Sequence, residues 1–248
     1  IIRTINIITL DPFGYSDVDT TKHPRNWGER TGNRLHLKSK KIAIKNLLLF
    51  KKNTPYNAFL IKESERIIRM QKFVNRVTIS VETPTSQSDS VDVSIRVLDS
   101  WSTIPKIAIS GTKMSLGVNE RNFFGIGHQL DYIYTHRSSD GKSANNLAYT
   151  VPNIRNTFVR TVFKYQNDLE DYYSKSIAVE RPFYSPLAKW AGGIYLDQQF
   201  RKDTLQAADL NYVEQNFKFS SHDFWVGKAF QIFKENTIND RTTNLILT

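Results

Sequence analysis

The sequence predicts an α+β domain of order β-α-α-β-β over residues 1–99, followed over 100–248 by a long run of antiparallel strands. Three observations carry this. Only residues 38–74 place apolar side chains at helical spacing. Segments 1–10, 75–82 and 91–99 are β-branched or alternating. From Trp101 onward the helical period disappears, and apolar residues recur at every second position in about nine segments.

Taken in order, "IIRTINIITL" (1–10) is a β-branched strand ended by Asp11–Pro12. Residues 13–38 hold Gly14, Pro24, Gly28 and Gly32, are longer than most connections, and read as a loop or insertion. "KSKKIAIKNLLLFKK" (38–52) is a helix with lysines opposite its apolar side. In 53–74 a second helix puts Leu60, Ile61, Ile67, Ile68 and Met70 on one stripe and turns Lys62, Glu63, Glu65 and Arg66 to water. Strand 75–82 directs Val77, Ile79 and Val81 inward, "TPTSQSDS" (83–90) is a polar turn, and 91–99 places Val91, Val93, Ile95 and Val97 on one face. The two helices would cover one face of a three-stranded sheet and leave the other partly open.

After Trp101 strands are predicted at 103–110, 112–118, 126–137, 145–151, 157–167, 172–180, 188–200, 210–219 and 222–233. Leu130, Tyr132 and Tyr134 fall on one side of their strand, Gln129, Asp131 and Thr135 on the other. Phe163 and Tyr165 oppose Arg160 and Lys164; Val213, Phe217 and Phe219 oppose Glu214, Asn216 and Lys218; Phe224, Val226, Phe230 and Ile232 share a face. Gly125 and Gly127 allow a tight turn where a Cβ would be costly. The periodicity fits a soluble sandwich, with polar faces in solvent, and a membrane barrel, with polar faces around a lumen.

Composition narrows the function. The 248 residues are 12% aromatic with a mean hydropathy of −0.44, which suits either β architecture. No stretch approaches the ~20 apolar residues of a membrane helix. With no cysteine, disulfide scaffolds and thiolate metal sites are excluded. A net charge of +10 reads as a solvated basic surface; no RNA-recognition strand, zinc finger or phosphate loop accompanies it, and no nucleic-acid partner is expected. The histidines His23, His36, His128, His136 and His222 include no helical i, i+4 pair, and HExxH, GxSxG and Walker patterns are missing. No enzyme, metal or cofactor is expected.

"IKNLLLFKKNTPYNAFLIKESERIIRMQKFVNRVTISV" resembles a polypeptide-transport-associated (POTRA) domain, in its helix, its "N-x-P-Y" turn and its second helix ending in an aromatic. "LGVNERNFFGIGHQLDY" (116–132), "VERPFYSPLAKWAGGIYL" (179–196) and "DFWVGKAF" (223–230) resemble the start of the barrel that follows such domains in the BamA/TamA-like outer-membrane assembly and secretion superfamily. The resemblance implies a transmembrane barrel, incomplete in this chain: the strands are fewer than those barrels close with, and the superfamily's Arg-Gly-aromatic loop motif is absent. It implies an outer-membrane protein of a Gram-negative bacterium, with residues 1–99 in the periplasm, lipid as surroundings, and partners that are unfolded polypeptide clients and accessory lipoproteins. The function implied is assembly of barrel proteins or translocation of polypeptides. A two-partner secretion pore, the barrel anchor of a fused effector and a soluble β-rich binding protein are the alternatives. By the same resemblance Arg76, Val77, Thr78, Ile79, Ser80 and Val81 would form the sheet edge that accepts a client strand. Lys113, Met114, Ser115, Leu116 and Gly117 would belong to the first barrel strand, at a lateral gate. Asn122, Phe123, Gly125 and Gly127 would shape a barrel turn, Arg181 would point into the lumen, and Trp101, Trp190 and Trp225 would join aromatic girdles at the membrane interfaces.

Overall fold

The β-branched opening run forms β1 (Ile2–Leu10), whose partner lies nearly ninety residues away. In the computed structural model, which describes residues 1–84, 89–206, 211–231 and 244–247, β1 runs parallel to β3 (Val91–Asp99), and β3 pairs antiparallel with β2 (Val74–Glu82). The sheet order is β1-β3-β2. A parallel pair needs a long crossover, and the crossover holds three helices: α1 (Trp27–Leu35), α2 (Lys41–Lys45) and α3 (Ala58–Arg69). The core is dry and contiguous, with Ile44, Leu48, Ile61 and Ile68 from the helical side over Ile2, Val93, Ile95 and Val97 of the sheet.

Several sequence expectations change here. The 13–38 loop contains α1, started by a capping box in which the Asn26 side chain accepts from Glu29 N and the Glu29 carboxylate accepts from Asn26 N. This helix buries none of its residues, so no apolar stripe announced it. The helix expected over 38–52 shrinks to the five residues of α2, and 46–50 continue as a turn that still buries Leu47, Leu48 and Phe50. Met70 leaves the α3 stripe, 68% exposed, while Glu63, expected in water, is buried. The face of the sheet away from the helices is partly open, as expected, with Arg76 and Ser80 exposed; the chain around residues 16–17 crosses it at Arg96, which donates to the carbonyls of Asp17 (2.9 Å) and Ser16 (3.1 Å), and at Thr78, whose Oγ1 donates to the buried Asp17 carboxylate (2.8 Å). The turn expected at 83–90 lies partly outside the described residues.

The second sheet has nine strands in unbroken chain order: β4 (Thr103–Ser110), β5 (Lys113–Phe123), β6 (His128–Arg137), β7 (Ser143–Val151), β8 (Arg160–Asn167), β9 (Tyr173–Arg181), β10 (Trp190–Gln206), β11 (Tyr212–Gln231) and β12 (Asn244–Leu247). Every neighbouring pair is antiparallel, and β4 and β12 are its two open ends. The expected strands 210–219 and 222–233 merge into β11, because Ser220, Ser221 and His222 pair with Gln198, Asp197 and Leu196 without a register shift. The residues that looked like a turn are where the apolar side changes face. Phe217 and Phe219 lie on one face, Phe224 and Val226 on the other. Ile232 lies outside the described residues.

Candidate membrane face and its seat on the α+β unit

Register places directly paired residues on the same face, and following it across β4 to β11 separates two chemistries. One face carries Ile107–Leu116–Tyr134, Tyr132–Leu147–Tyr165, Phe163–Ile177–Leu196 and Ile194–Phe224 as cross-strand neighbours. Leu130 belongs with them. Many of these side chains are exposed, Ile107 by 72% and Phe224 by 66%. Among the described residues no second sheet covers them. A contiguous apolar surface of this extent marks an interaction with lipid or protein.

The opposite face is polar and bonded across strands. Asp131 accepts from Lys106 Nζ (2.8 Å) and Asn119 Nδ2 (2.8 Å); Ser115 and Thr135 share a hydrogen bond of 2.8 Å. The buried Asp197 accepts from Ser174 (3.2 Å) and Gln199 (2.7 Å), and Arg160 pairs with Glu180 at 2.8 Å. Gln129 and Asp131 therefore share the polar face, as the alternation predicts.

The turn motif does more than turn. Phe124, Gly125 and Gly127 adopt positive φ (57°, 71° and 79°), and the turn docks on the α+β unit. Asn122, fully buried, donates through Nδ2 to the Leu37 carbonyl (3.1 Å) and Ser39 Oγ (2.9 Å), and its Oδ1 accepts from Gly127 N (2.8 Å). Lys40 N donates to the Gly125 carbonyl at 2.7 Å. A Cβ on Gly125 would collide with the Lys38 carbonyl oxygen, and one on Gly127 would sit 3.0 Å from the Phe73 ring. Phe123 stacks at a tilt on Phe124, 4.2 Å between centroids. Behind the turn, Asp99 Oδ2 accepts from Ser39 N (2.7 Å) and meets His36 Nε2 (3.1 Å), both side chains being fully buried.

Two further turns seat on the same unit. Between β7 and β8, Asn153 donates to the Asn46 carbonyl (2.6 Å) and Asn156 to that of Leu48 (3.2 Å), while Phe158 enters the core cluster and stacks on Tyr184. Between β9 and β10, Arg66 of α3 donates to the Tyr184 carbonyl (3.2 Å) and holds Glu63 bidentately. Burial pushes the Glu63 carboxyl up, but hydrogen bonds from Arg66 and Ser185 and the guanidinium charge outweigh it, leaving the group below its ordinary range. Three alternate hairpin turns thus bind one end of the sheet to the α+β unit.

The remaining expected residues fall as follows. Arg76, Val77, Thr78, Ile79, Ser80 and Val81 lie in β2, an edge of the three-stranded sheet. Lys113, Met114, Ser115, Leu116 and Gly117 are not in the first strand: they lie in β5, paired with β4 and β6. The turn at Gly111 (φ 57°) sends 103–110 to the open edge instead. Arg181 is not on the lumen-like face. It pairs with Gly192, on the face of Ile194, and donates to the carbonyls of Thr157 (3.1 Å) and Trp190 (2.6 Å), so it ties turns together; its neighbour Glu180 takes the polar face. Trp190 alone of the three named tryptophans is exposed on the apolar face. Trp225 covers Gly193 on the other face, and Trp101 lies near the junction, its ring 6.3 Å from His36. His36, Ser39 and Asp99 were not singled out as a group, since nothing in the sequence links positions sixty residues apart.

With this geometry in hand, comparison with solved structures finds BamA from Haemophilus ducreyi lacking POTRA domains 1–3, at 12% identity and a TM-score of 0.46, covering 96% of this chain and 45% of that one. CdiB from Acinetobacter baumannii is similar at 11% identity and 0.44, covering 92% and 42%. The chain spans less than half the length of either. No family model and no curated protein matches it.

Proposed function

We propose that the chain is part of a non-enzymatic outer-membrane protein that assembles barrel proteins or passes polypeptides across the membrane. The observation that carries this is the two-faced, unclosed sheet, seated by three turns on an α+β unit with open strand edges. Unpaired backbone cannot face hydrocarbon, so β4 and β12 need strands beyond those described, or a client strand. The α+β unit acts as a POTRA domain in the periplasm, taking an unfolded client along β2 by strand addition, where backbone bonds give affinity indifferent to sequence. The free edge of β4 then offers the template in the membrane. Accessory lipoproteins fit the same reading. The test is reconstitution of the full-length protein in liposomes: client barrel insertion should accelerate, or a polypeptide should cross. Failure of both would remove the role. A protein that stays monomeric in buffer without detergent would remove the membrane assignment as well.

A further inference from the structure

Between α2, the edge of β1 and the β7–β8 turn lies a cleft of about 690 Å³. Lys41, Lys45, Lys51, Lys52 and Arg155 line it, and no carboxylate does. Among the described residues none of these five cations is ion-paired. Elsewhere the same structure pairs its charges freely, so five uncompensated cations around one concavity are a local concentration of positive potential.

The cleft is also built. Arg155 and Asn156 both stand at positive φ (47° and 63°), a conformation that Asn adopts readily but that is uncommon for Arg. The turn is held by the bonds from Asn153 and Asn156 to the Asn46 and Leu48 carbonyls. The inner wall is the outer edge of β1, with Ile5, Asn6 and Ile7 lining the cleft. At Ile2 that edge is closed by two backbone bonds to Asn53 and Thr54; from Thr4 onward β1 has β3 as its one strand partner among the described residues, on its other side.

An open strand edge and a ring of unpaired cations together select an extended, acidic polypeptide. We propose that β1 accepts such a segment as an added strand, with alternate acidic side chains held by Lys41, Lys45, Lys51, Lys52 and Arg155. A strand presents every second residue to one side about 7 Å apart, which suits cations drawn from two sides of a cleft. A lipid phosphate would use the charges but not the backbone edge, so the peptide is the occupant the geometry favours. The inference needs only the α+β unit seated on the β7–β8 turn, and stands whether or not the assembly role does.

The test uses the full-length protein in detergent and a fluorescent peptide of about eight residues in which Glu and Val alternate. Anisotropy should report binding that the Lys/Val counterpart lacks and that weakens as salt rises from about 50 to about 300 mM. The exposed pair Lys41→Glu with Lys45→Glu should weaken it by roughly tenfold or more, with heat-modifiable gel mobility unchanged. Methylating alternate backbone nitrogens of the peptide should abolish it. A cysteine at Asn6, introduced into full-length protein with any cysteine outside these 248 cysteine-free residues removed, should cross-link to a cysteine placed mid-peptide. Equal binding of the N-methylated peptide, or indifference to the two charge reversals, would overturn the proposal. So would displacement by phosphatidylglycerol nanodiscs but not phosphatidylcholine ones, which would make the cleft a lipid site.

Discussion

The two sheets of this protein are written in the same alternating code and solve it in opposite ways. In β1–β3 the apolar positions are dry: Ile2, Ile95 and Val97 are fully buried beneath α2 and α3. In β4–β12 they are bare, and among the described residues from 101 onward only Phe158, Val162, Ala188 and Ala191 are buried hydrophobics. Phe158 is buried because it reaches into the other unit's core. An alternating strand specifies two faces but not their solvent; a helix that packs on one face decides it for the first sheet, and nothing within the described chain decides it for the second.

That contrast is easiest to break with single side chains. Ile95→Ala in the packed unit should cost about 2–5 kcal/mol, the usual penalty of a cavity in a full core. The same truncation at the 72% exposed Ile107 should cost well under about 1 kcal/mol in detergent. Urea titration of the full-length protein measures both, and equal losses would mean that Ile107 is packed. A change of comparable size is expected when charge is placed on the bare face in lipid. Phe163→Arg should destabilise the vesicle-inserted protein by about 2–4 kcal/mol, whereas Lys164→Arg, one residue along on the polar face, should stay within about 0.5 kcal/mol. If the two substitutions behave alike, the faces do not see different solvents.

The junction between the units sharpens the comparison further. Asn122→Ala would leave the Leu37 carbonyl and Gly127 N–H without their partner, at a cost of about 1–3 kcal/mol. Hydrogen exchange should rise at Lys40 and in the β5–β6 turn and stay unchanged at Ile95. Loss of protection throughout the three-stranded unit would show that the junction is part of that unit's own stability.

Much of this was legible in the sequence. Two of the three helices between β1 and β2, the succession of β2 and β3, their buried Val and Ile positions, and the faces of Leu130, Tyr132 and Tyr134 follow from period alone. What escaped had physical reasons. α1 is held by a cap and buries nothing, so it carries no stripe. The continuity of β11 through Ser220–His222 was masked because its apolar side switches face there, which imitates the end of one strand and the start of the next. Lys113–Gly117 lie in the second strand of the sheet rather than the first because alternation marks 103–110 and 112–118 as strands alike and does not say which of them stands at the edge. The junction was invisible for a different reason: a lone Asn and a Gly-x-Gly satisfy a hairpin by themselves, and only long-range contact reveals that Asn122 bonds across eighty residues to Leu37 and Ser39.

The smallest expected effect concerns Glu63, which the helical period of α3 turns to water and the structure buries beside the β9–β10 turn. Arg66 and Ser185 hold its carboxyl below the ordinary range against the opposing pull of burial. A folded-state pKa below the unfolded one means that the unfolded chain takes up the proton first as pH falls, so the stabilisation is complete at neutral pH and is lost as pH drops through the folded value. The thermal midpoint of the wild type should therefore exceed that of Glu63→Gln at neutral pH, by an amount fitting an ion pair whose arginine is partly in solvent, and the two should converge in the acid range below the ordinary glutamate pKa of about 4.3. A difference that persists unchanged at the acid end would assign the effect of Gln to packing, and would leave Arg66 anchoring the turn through the Tyr184 carbonyl alone.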